Sequence, residues 1–161
     1  MPRHVVDWLL EPHSLTARIK NTFDGPFSVE VKGQGMCKPF LADAQRLQQR
    51  THHYALVREV LLNVGDNPVV FARTTLPRKV VHDLQELTDL GSKPLGEIIF
   101  SYPDLQRVQL DFAKIEVSQL SPLIQAMLIG QSTIWARRNT YRINKRSFVV
   151  SEFFLPTMFK S

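Results

Sequence analysis

Alternating apolar and polar residues predict strands in six parts of the chain. The segment FSVEV (residues 27–31) alternates as a strand with one face in the core would. The other alternating segments are residues 54–64, 69–75, 105–117, 133–143 and 147–156. Turn signals at residues 65–68 (GDNP) and 144–146 (NKR) join neighbouring segments into antiparallel hairpins. The pattern therefore predicts an antiparallel sheet of about six strands.

Helical patterns lie before and between these strands. Residues 3–10 suit a short amphipathic helix, and Ser14 suits the N-cap of a second one. Apolar residues three and four positions apart predict a helix over 78–90, closed by Gly91. The remaining predictions are short helices at 93–100 and 120–128 and, over 33–53, a loop with one helical turn at 42–50. Together these elements predict the α+β class and one domain over residues 1–161.

Two charged residues interrupt faces that are otherwise apolar. Arg58 shares its face of segment 54–64 with apolar neighbours, and Glu152 does the same in segment 147–156. A charge inside a core costs several kcal/mol unless it is paired or solvated. One interpretation is a buried structural salt bridge between the two. The other is a ligand site, where Arg58 binds a carboxylate and Glu152 handles a hydroxyl or a proton.

A third charge, Arg73, shares the odd-numbered parity of Val69 and Phe71 in segment 69–75. If that face is the inner one, Arg73 also points into the interior. It would then be a second anion ligand or the partner of Glu152.

Composition narrows the function classes only slightly. Hydrophobic residues make up 43% of the 161 positions and charged residues 22%, as in ordinary globular proteins. The single cysteine, Cys37, cannot form an internal disulfide and is typical of a reducing cytosol. Asp7 and Glu11 lie too early for a signal peptide, and no run of about 20 apolar residues predicts a membrane helix. We expect a cytoplasmic protein with no membrane partner and no metal site.

A basic hairpin offers a rival interpretation. Its basic and aromatic members are Trp135, Arg137, Arg138, Tyr141, Arg142, Lys145 and Arg146. Interleaved basic and aromatic side chains bind single-stranded nucleic acid, although a solvated hairpin shows the same pattern. The formal net charge of +5 is modest, and opposed charges in an apolar interior serve no purpose in nucleic-acid binding. We therefore expect no nucleic-acid partner.

Several motifs together resemble the chorismate pyruvate-lyase family, which makes 4-hydroxybenzoate from chorismate. The matching stretches are DWLL, SLT, LVREVLL, ARTTLP, LGSKPLGEIIF, WARRNTYRI and SEFFLP. They occur in family order between residues 7 and 156. The resemblance implies two helical flaps over a buried ligand cavity, a monomer, and no metal or organic cofactor. It also implies the products 4-hydroxybenzoate and pyruvate, in the first committed step of ubiquinone biosynthesis.

The resemblance assigns roles to four residues. By position, Arg58 and the backbone N–H groups of Leu15 and Leu95 would hold the ring carboxylate, and Glu152 would meet the ring hydroxyl. Arg58 and Glu152 would also be the catalytic residues. Leu15 stands where the family pattern has methionine, and Glu97 stands where it has arginine. These departures concern the flaps rather than the chemistry.

A domain that binds aromatic acids without turnover is the main alternative, because effector-sensing domains of some bacterial repressors resemble the same fold. Such a domain usually follows a DNA-binding helix-turn-helix domain. The matching residues begin at Asp7, so we expect no such domain before them, and this favours the enzyme.

Overall fold

The fold is built on one antiparallel sheet of six strands. The structure is a computed structural model that describes residues 1–48, 50 and 53–159, apart from the side chain of Leu41. The strands are β1 (Phe27–Cys37), β2 (Ala55–Val64), β3 (Asn67–Pro77), β4 (Gln106–Glu116), β5 (Thr133–Ile143) and β6 (Arg146–Phe154). Their order across the sheet is β1-β2-β3-β6-β5-β4. The predicted α+β class and six-stranded antiparallel sheet are confirmed.

Two three-stranded meanders meet at the centre of this sheet. β1–β3 form the first meander and β4–β6 the second, and the pairing of β3 with β6 joins them. The β5–β6 turn places Asn144 and Lys145 at φ values of 50° and 64°, which suits a two-residue turn of the hairpin type. This turn fixes the β5–β6 register from Ile143↔Arg146 onwards.

In the part of the chain that the structure describes, six short α-helices pack on the two faces of the sheet. They are α1 (Arg3–Leu9), α2 (Leu15–Thr22), α3 (Leu41–Arg46), α4 (Arg78–Asp83), α5 (Leu95–Ile99) and α6 (Pro122–Met127). Ser14 caps α2 as predicted, because its Oγ accepts a hydrogen bond from the Ala17 N–H at 3.2 Å. None of the helices in the described ranges is both long and apolar enough to cross a membrane.

Two predicted boundaries are wrong. The predicted helix over 78–90 is α4 followed by a 3₁₀ turn at Gln85–Leu87, since the backbone leaves helical geometry at Leu84 (φ −126°, ψ 59°). Val80, Leu84, Leu87 and Leu90 are still buried, so their spacing reports burial rather than one continuous helix. In addition, β1 runs on to Cys37 through residues predicted as loop. This part is an edge strand exposed on both faces, which leaves no alternation to detect.

Three apolar clusters hold the helices to the sheet. On one face, α1 and α2 pack over Val60, Val70 and Phe154, while α4 and α5 pack over Leu56, Leu76 and Phe148. On the other face, α6 covers a cluster that includes Phe71 and Phe153. The first face therefore carries two separate helical flaps with a seam between them.

Candidate functional site

A small cavity of about 60 Å³ lies at the seam between the two flaps. Its floor is the sheet, where β2, β3, β5 and β6 contribute side chains. Its roof is the start of α2 and the start of α5. Four residues singled out in the sequence line it together: Leu15, Arg58, Leu95 and Glu152. The two predicted helical flaps and the two charges therefore meet at one place.

Arg58 brings a buried positive charge whose hydrogen-bond partners among the described residues are all neutral. Its side chain donates to Gln34 Oε1 at 3.1 Å and to the carbonyl oxygens of Gly91 at 2.8 Å and Lys93 at 3.3 Å. Only 3% of the residue is exposed, and this burial lowers the pKa of its guanidinium. No carboxylate among the described residues forms an ion pair with it. An anionic ligand would complement this charge.

The roof supplies backbone donors next to Arg58. Leu15 and Leu95 are the first residues of α2 and α5, so their N–H groups have no acceptor within their own helices. Gly96 lets the two helix starts approach closely, because a Cβ there would lie 3.1 Å from Ser14 Oγ. Lys20 and Glu97 form an exposed ion pair of 2.6 Å between the same two helices. Glu97, which departs from the family pattern, thus joins one flap to the other.

Glu152 lies in the cavity with one oxygen occupied and one available. Its Oε1 accepts hydrogen bonds from Arg137 Nε at 2.7 Å and from Asn139 Nδ2 at 2.9 Å. Its Oε2 accepts none from the residues that the structure describes. The interpretation of a structural salt bridge between Arg58 and Glu152 is therefore wrong, because Arg137 is the ion-pair partner of Glu152.

Arg58 and Glu152 stand at opposite ends of the cavity floor. Arg58 faces Thr74 across the β2–β3 pair, and Glu152 faces Ala72 across the β3–β6 pair. With β3 between them, their strands are about 10 Å apart. The site is thus a slot with a cation and two helix starts at one end and a carboxylate at the other. Such a slot suits a planar anion with a polar group opposite its carboxylate.

Arg137 is the main functional residue that sequence reasoning missed. It was assigned to an exposed basic hairpin, yet it is only 2% exposed. Its Nη1 also donates to the carbonyl oxygens of Trp8, Leu9 and Glu11 at 3.1–3.4 Å, which fixes the end of α1 above the sheet. Counting residue by residue from the β5–β6 turn pairs Arg137 with Glu152. The sequence could have identified the Arg137–Glu152 pair from that register.

We expect Arg137→Lys to lower the free energy of unfolding by about 1–2 kcal/mol. Lysine keeps the positive charge beside Glu152, but it cannot hold the carboxylate and the three carbonyl groups at once. Chemical denaturation of both proteins measures the difference. Arg142→Lys is the matched control, since Arg142 is an exposed arginine on the same strand. Equal stability of Arg137→Lys and the unmodified protein would contradict this role.

The structure does not bring Arg73 into the cavity. Ala72 and Thr74 line it, so the side chain between them lies on the opposite face of the sheet. There the Arg73 guanidinium stacks 3.6 Å from the centre of the Phe40 ring and lies 4.0 Å from Asp43. Strand β3 is buried on both faces, so parity alone did not identify the side that holds the cavity.

The hairpin of basic and aromatic residues does not form one exposed surface. Tyr141 is buried at 4% exposure on the cavity side, where burial and then the charge of Glu152 raise the pKa of its hydroxyl. Arg138 lies on the other side with Arg73. In the ranges that the structure describes, no group of three His, Cys, Asp or Glu side chains is placed to hold a metal ion.

Fold and cavity together define a small-molecule-binding α+β domain. Similar solved structures include a GntR-family transcriptional regulator from Enterococcus faecalis (TM-score 0.61, 14% identity, 86% of this chain and 97% of that one). Another is the C-terminal domain of the histidine utilization repressor from Pseudomonas syringae (TM-score 0.64, 11% identity, 84% and 96%). At these identities the likeness shows the fold alone.

Sequence relatives are more specific. A family model described as chorismate lyase matches residues 1–161. A protein of Methylococcus capsulatus named probable chorismate pyruvate-lyase is 36% identical over 152 residues, covering 94% of each chain. One of the same name from Azoarcus sp. is 38% identical over 163 residues, covering 97% of this chain and 86% of that protein. This chain belongs to the chorismate lyase family, as its motifs indicated.

Proposed function

We propose that this protein is a chorismate pyruvate-lyase that converts chorismate into 4-hydroxybenzoate and pyruvate. The observation that carries the proposal is the buried guanidinium of Arg58, which has no anionic partner in the described structure and faces the same cavity as Glu152. The names of the sequence relatives support the same activity. Chorismate supplies the missing anion through its ring carboxylate.

The substrate fits the slot by its own geometry. Its ring carboxylate and ring hydroxyl lie at opposite positions of a six-membered ring. In the proposed pose, Arg58 grips the carboxylate with its two-pronged guanidinium, and the N–H groups of Leu15 and Leu95 donate to the same oxygens. At the other end, Oε2 of Glu152 accepts a hydrogen bond from the ring hydroxyl. Apolar side chains such as Val60 and Val150 enclose the ring between them.

The reaction breaks two bonds of the substrate and makes the ring aromatic. The C–H bond at the hydroxyl-bearing carbon gives its electron pair to the ring, and its proton leaves. That pair forms the new ring double bond as the neighbouring C–O bond breaks, and the enolpyruvyl oxygen departs with the electron pair of the C–O bond. Protonation of its methylene carbon then gives pyruvate. Aromatisation supplies the driving force, so positioning and charge placement carry the catalysis, with Glu152 as the proton acceptor.

The test is a stopped-time assay of the purified protein with chorismate and with EDTA in place of added metal. We expect 4-hydroxybenzoate and pyruvate in equal amounts, because the elimination needs no redox or metal chemistry. Tight binding of 4-hydroxybenzoate without turnover would overturn the enzyme and leave a binding domain. Activity that EDTA abolishes and Mg²⁺ restores would overturn cofactor independence alone.

The cellular setting is part of the proposal. We place the protein in the cytoplasm as a monomer whose formation of 4-hydroxybenzoate is the first committed step of ubiquinone biosynthesis. Loss of ubiquinone in a deletion strain, restored by added 4-hydroxybenzoate, is the expected result. Sedimentation at the mass of one 161-residue chain is expected for the monomer.

We expect Gly96→Ala to weaken 4-hydroxybenzoate binding about tenfold and to speed its release. The added methyl group would lie 3.1 Å from Ser14 Oγ, so this hydroxyl, which caps α2, must shift by a few tenths of an ångström, and we expect this overpacking to cost about 1.4 kcal/mol. Stopped-flow release of the product measures the effect. Gly35→Ala is the matched control, because its Cβ would have no atom within 4 Å. Unchanged release from Gly96→Ala would show that the flap contact does not retain the product.

A further inference from the structure

The face of the sheet opposite the cavity carries a second and larger site. A groove of about 530 Å³ lies there between α3 and α6. Apolar side chains form most of its wall: Phe112, Ile115, Leu120, Ile124, Ala136 and Phe153. This volume lies within the range of pockets that hold small organic molecules. The first cavity, at about 60 Å³, is far smaller.

One end of the groove is charged. Asp43 is 2% exposed and accepts a hydrogen bond from Thr75 Oγ1 at 2.9 Å. Two arginines flank it at longer range, with Arg73 Nε at 4.0 Å and Arg138 Nη1 at 3.8 Å from its oxygens. Arg138 also contacts Asp111 at 3.3 Å, and Asp111 pairs with Arg46 at 2.7 Å. Three arginines thus share two aspartates.

Two arginine donors at this end lack an acceptor. Both Arg73 Nε and Arg138 Nε are buried and have no hydrogen-bond partner among the residues that the structure describes. Burial lowers the pKa of the Arg73 guanidinium, while the charges of Asp43 and Glu59 raise it. The Phe40 ring, 3.6 Å from the guanidinium carbon, holds Arg73 in place without accepting a conventional hydrogen bond. Both arginines line the groove, so a ligand carboxylate bound there would pair with their guanidinium groups.

We propose that this groove binds an amphipathic carboxylate, with its anionic head between Arg73 and Arg138 and its apolar body along the wall beneath α6. The head adds a negative charge beside Arg73 and Arg138, which both line the groove and lie 4.0 and 3.8 Å from the nearest Asp43 oxygens. The body covers Ile115, Ile124 and Phe153, which line the open groove. This site is independent of the proposed function, because it uses the other face of the sheet.

Calorimetric titration with sodium decanoate, below its micelle concentration, tests the site. We expect one decanoate to bind per chain, with unchanged affinity when the first cavity is saturated with 4-hydroxybenzoate. Decan-1-ol has the same chain without the charge and should bind at least tenfold more weakly. The absence of saturable decanoate binding, or equal binding of the alcohol, would overturn the proposal.

Two kinds of variant locate the bound decanoate. The double variant Arg73→Gln/Arg138→Gln should lower the affinity at least tenfold, whereas Arg58→Gln, a buried arginine of the opposite face, should leave it unchanged. Ala113→Phe fills the groove from an exposed position and keeps both arginines, so it should abolish binding even if the double variant fails to fold. Decanoate binding that is lost in Arg58→Gln but kept in Ala113→Phe would place the ligand in the first cavity and refute the second site.

Discussion

Arg58→Ala is expected to lower kcat/KM for chorismate at least about 30-fold and to weaken 4-hydroxybenzoate binding by a similar factor. Removing one partner of a desolvated, hydrogen-bonded charge pair costs about 2 kcal/mol or more. Substrate and product carry the same ring carboxylate, so both lose the same contact. Steady-state kinetics and calorimetric titration of the product measure the two effects.

Arg58 also holds flap carbonyl groups, so its variants need a comparison that separates binding from structure. Arg58→Lys keeps a positive charge but loses the two-pronged geometry, and we expect it to fall between Arg58→Ala and the unmodified protein. Arg142→Ala is the surface control and should retain full activity, since Arg142 is exposed and the side-chain hydrogen bonds that it donates to described residues go to Gln106. A folded Arg58→Ala protein with undiminished product affinity would remove Arg58 from the carboxylate site.

Glu152→Gln is expected to lower kcat for chorismate at least about 100-fold while the protein stays folded. The glutamine oxygen still accepts the bonds from Arg137 and Asn139, which occupy only Oε1. The changed atom is the one facing the cavity, where an NH₂ group replaces an oxygen that accepts the proton. Positioned general acid–base groups typically contribute about 10²–10⁴-fold. Single-turnover kinetics measure the chemical step apart from product release.

This substitution also removes the anion beside Arg137, so some loss of stability accompanies it. Activity is therefore measured well below the melting temperature, with circular dichroism to confirm the fold. Glu116→Gln, at an exposed position of β4, is the control for loss of one carboxylate. Full turnover by Glu152→Gln would reduce Glu152 to a structural partner of Arg137.

The sequence predicted the central strands because each has a sharp boundary and a clear pattern. The turns at residues 65–68 and 144–146 delimit β2–β3 and β5–β6. The second half of β1 lacks such a pattern, because backbone pairing with β2 alone, without burial, makes it a strand. The interrupted helix at Leu84 was unpredictable for a related reason. Tertiary contacts can bury the same leucines from a broken helix as from a regular one.

The site was predictable where a charge contrasts with an apolar face. Arg58 and Glu152 meet that condition, and the structure places both in one cavity with Leu15 and Leu95. Arg137 does not, because Arg138 and Asn139 follow it directly in β5 and its burial depends on α1 and on Glu152. The prediction that Arg73 points into the cavity was wrong for the opposite reason. Both faces of β3 are apolar, so alternation gave its parity without giving its side.

The division of the sheet into two meanders means that a bound ligand would help to hold the two halves of the sheet together. Arg58 belongs to the first meander, and Glu152 and Arg137 belong to the second, so neither half contains a complete site. A molecule that contacts both ends of the slot acts as a noncovalent cross-link across the β3–β6 junction. At 100 times its Kd, such a ligand would oppose separation of the halves by about 2.7 kcal/mol. Ligand binding in the slot and pairing of the two halves of the sheet are then thermodynamically coupled, so each stabilises the other.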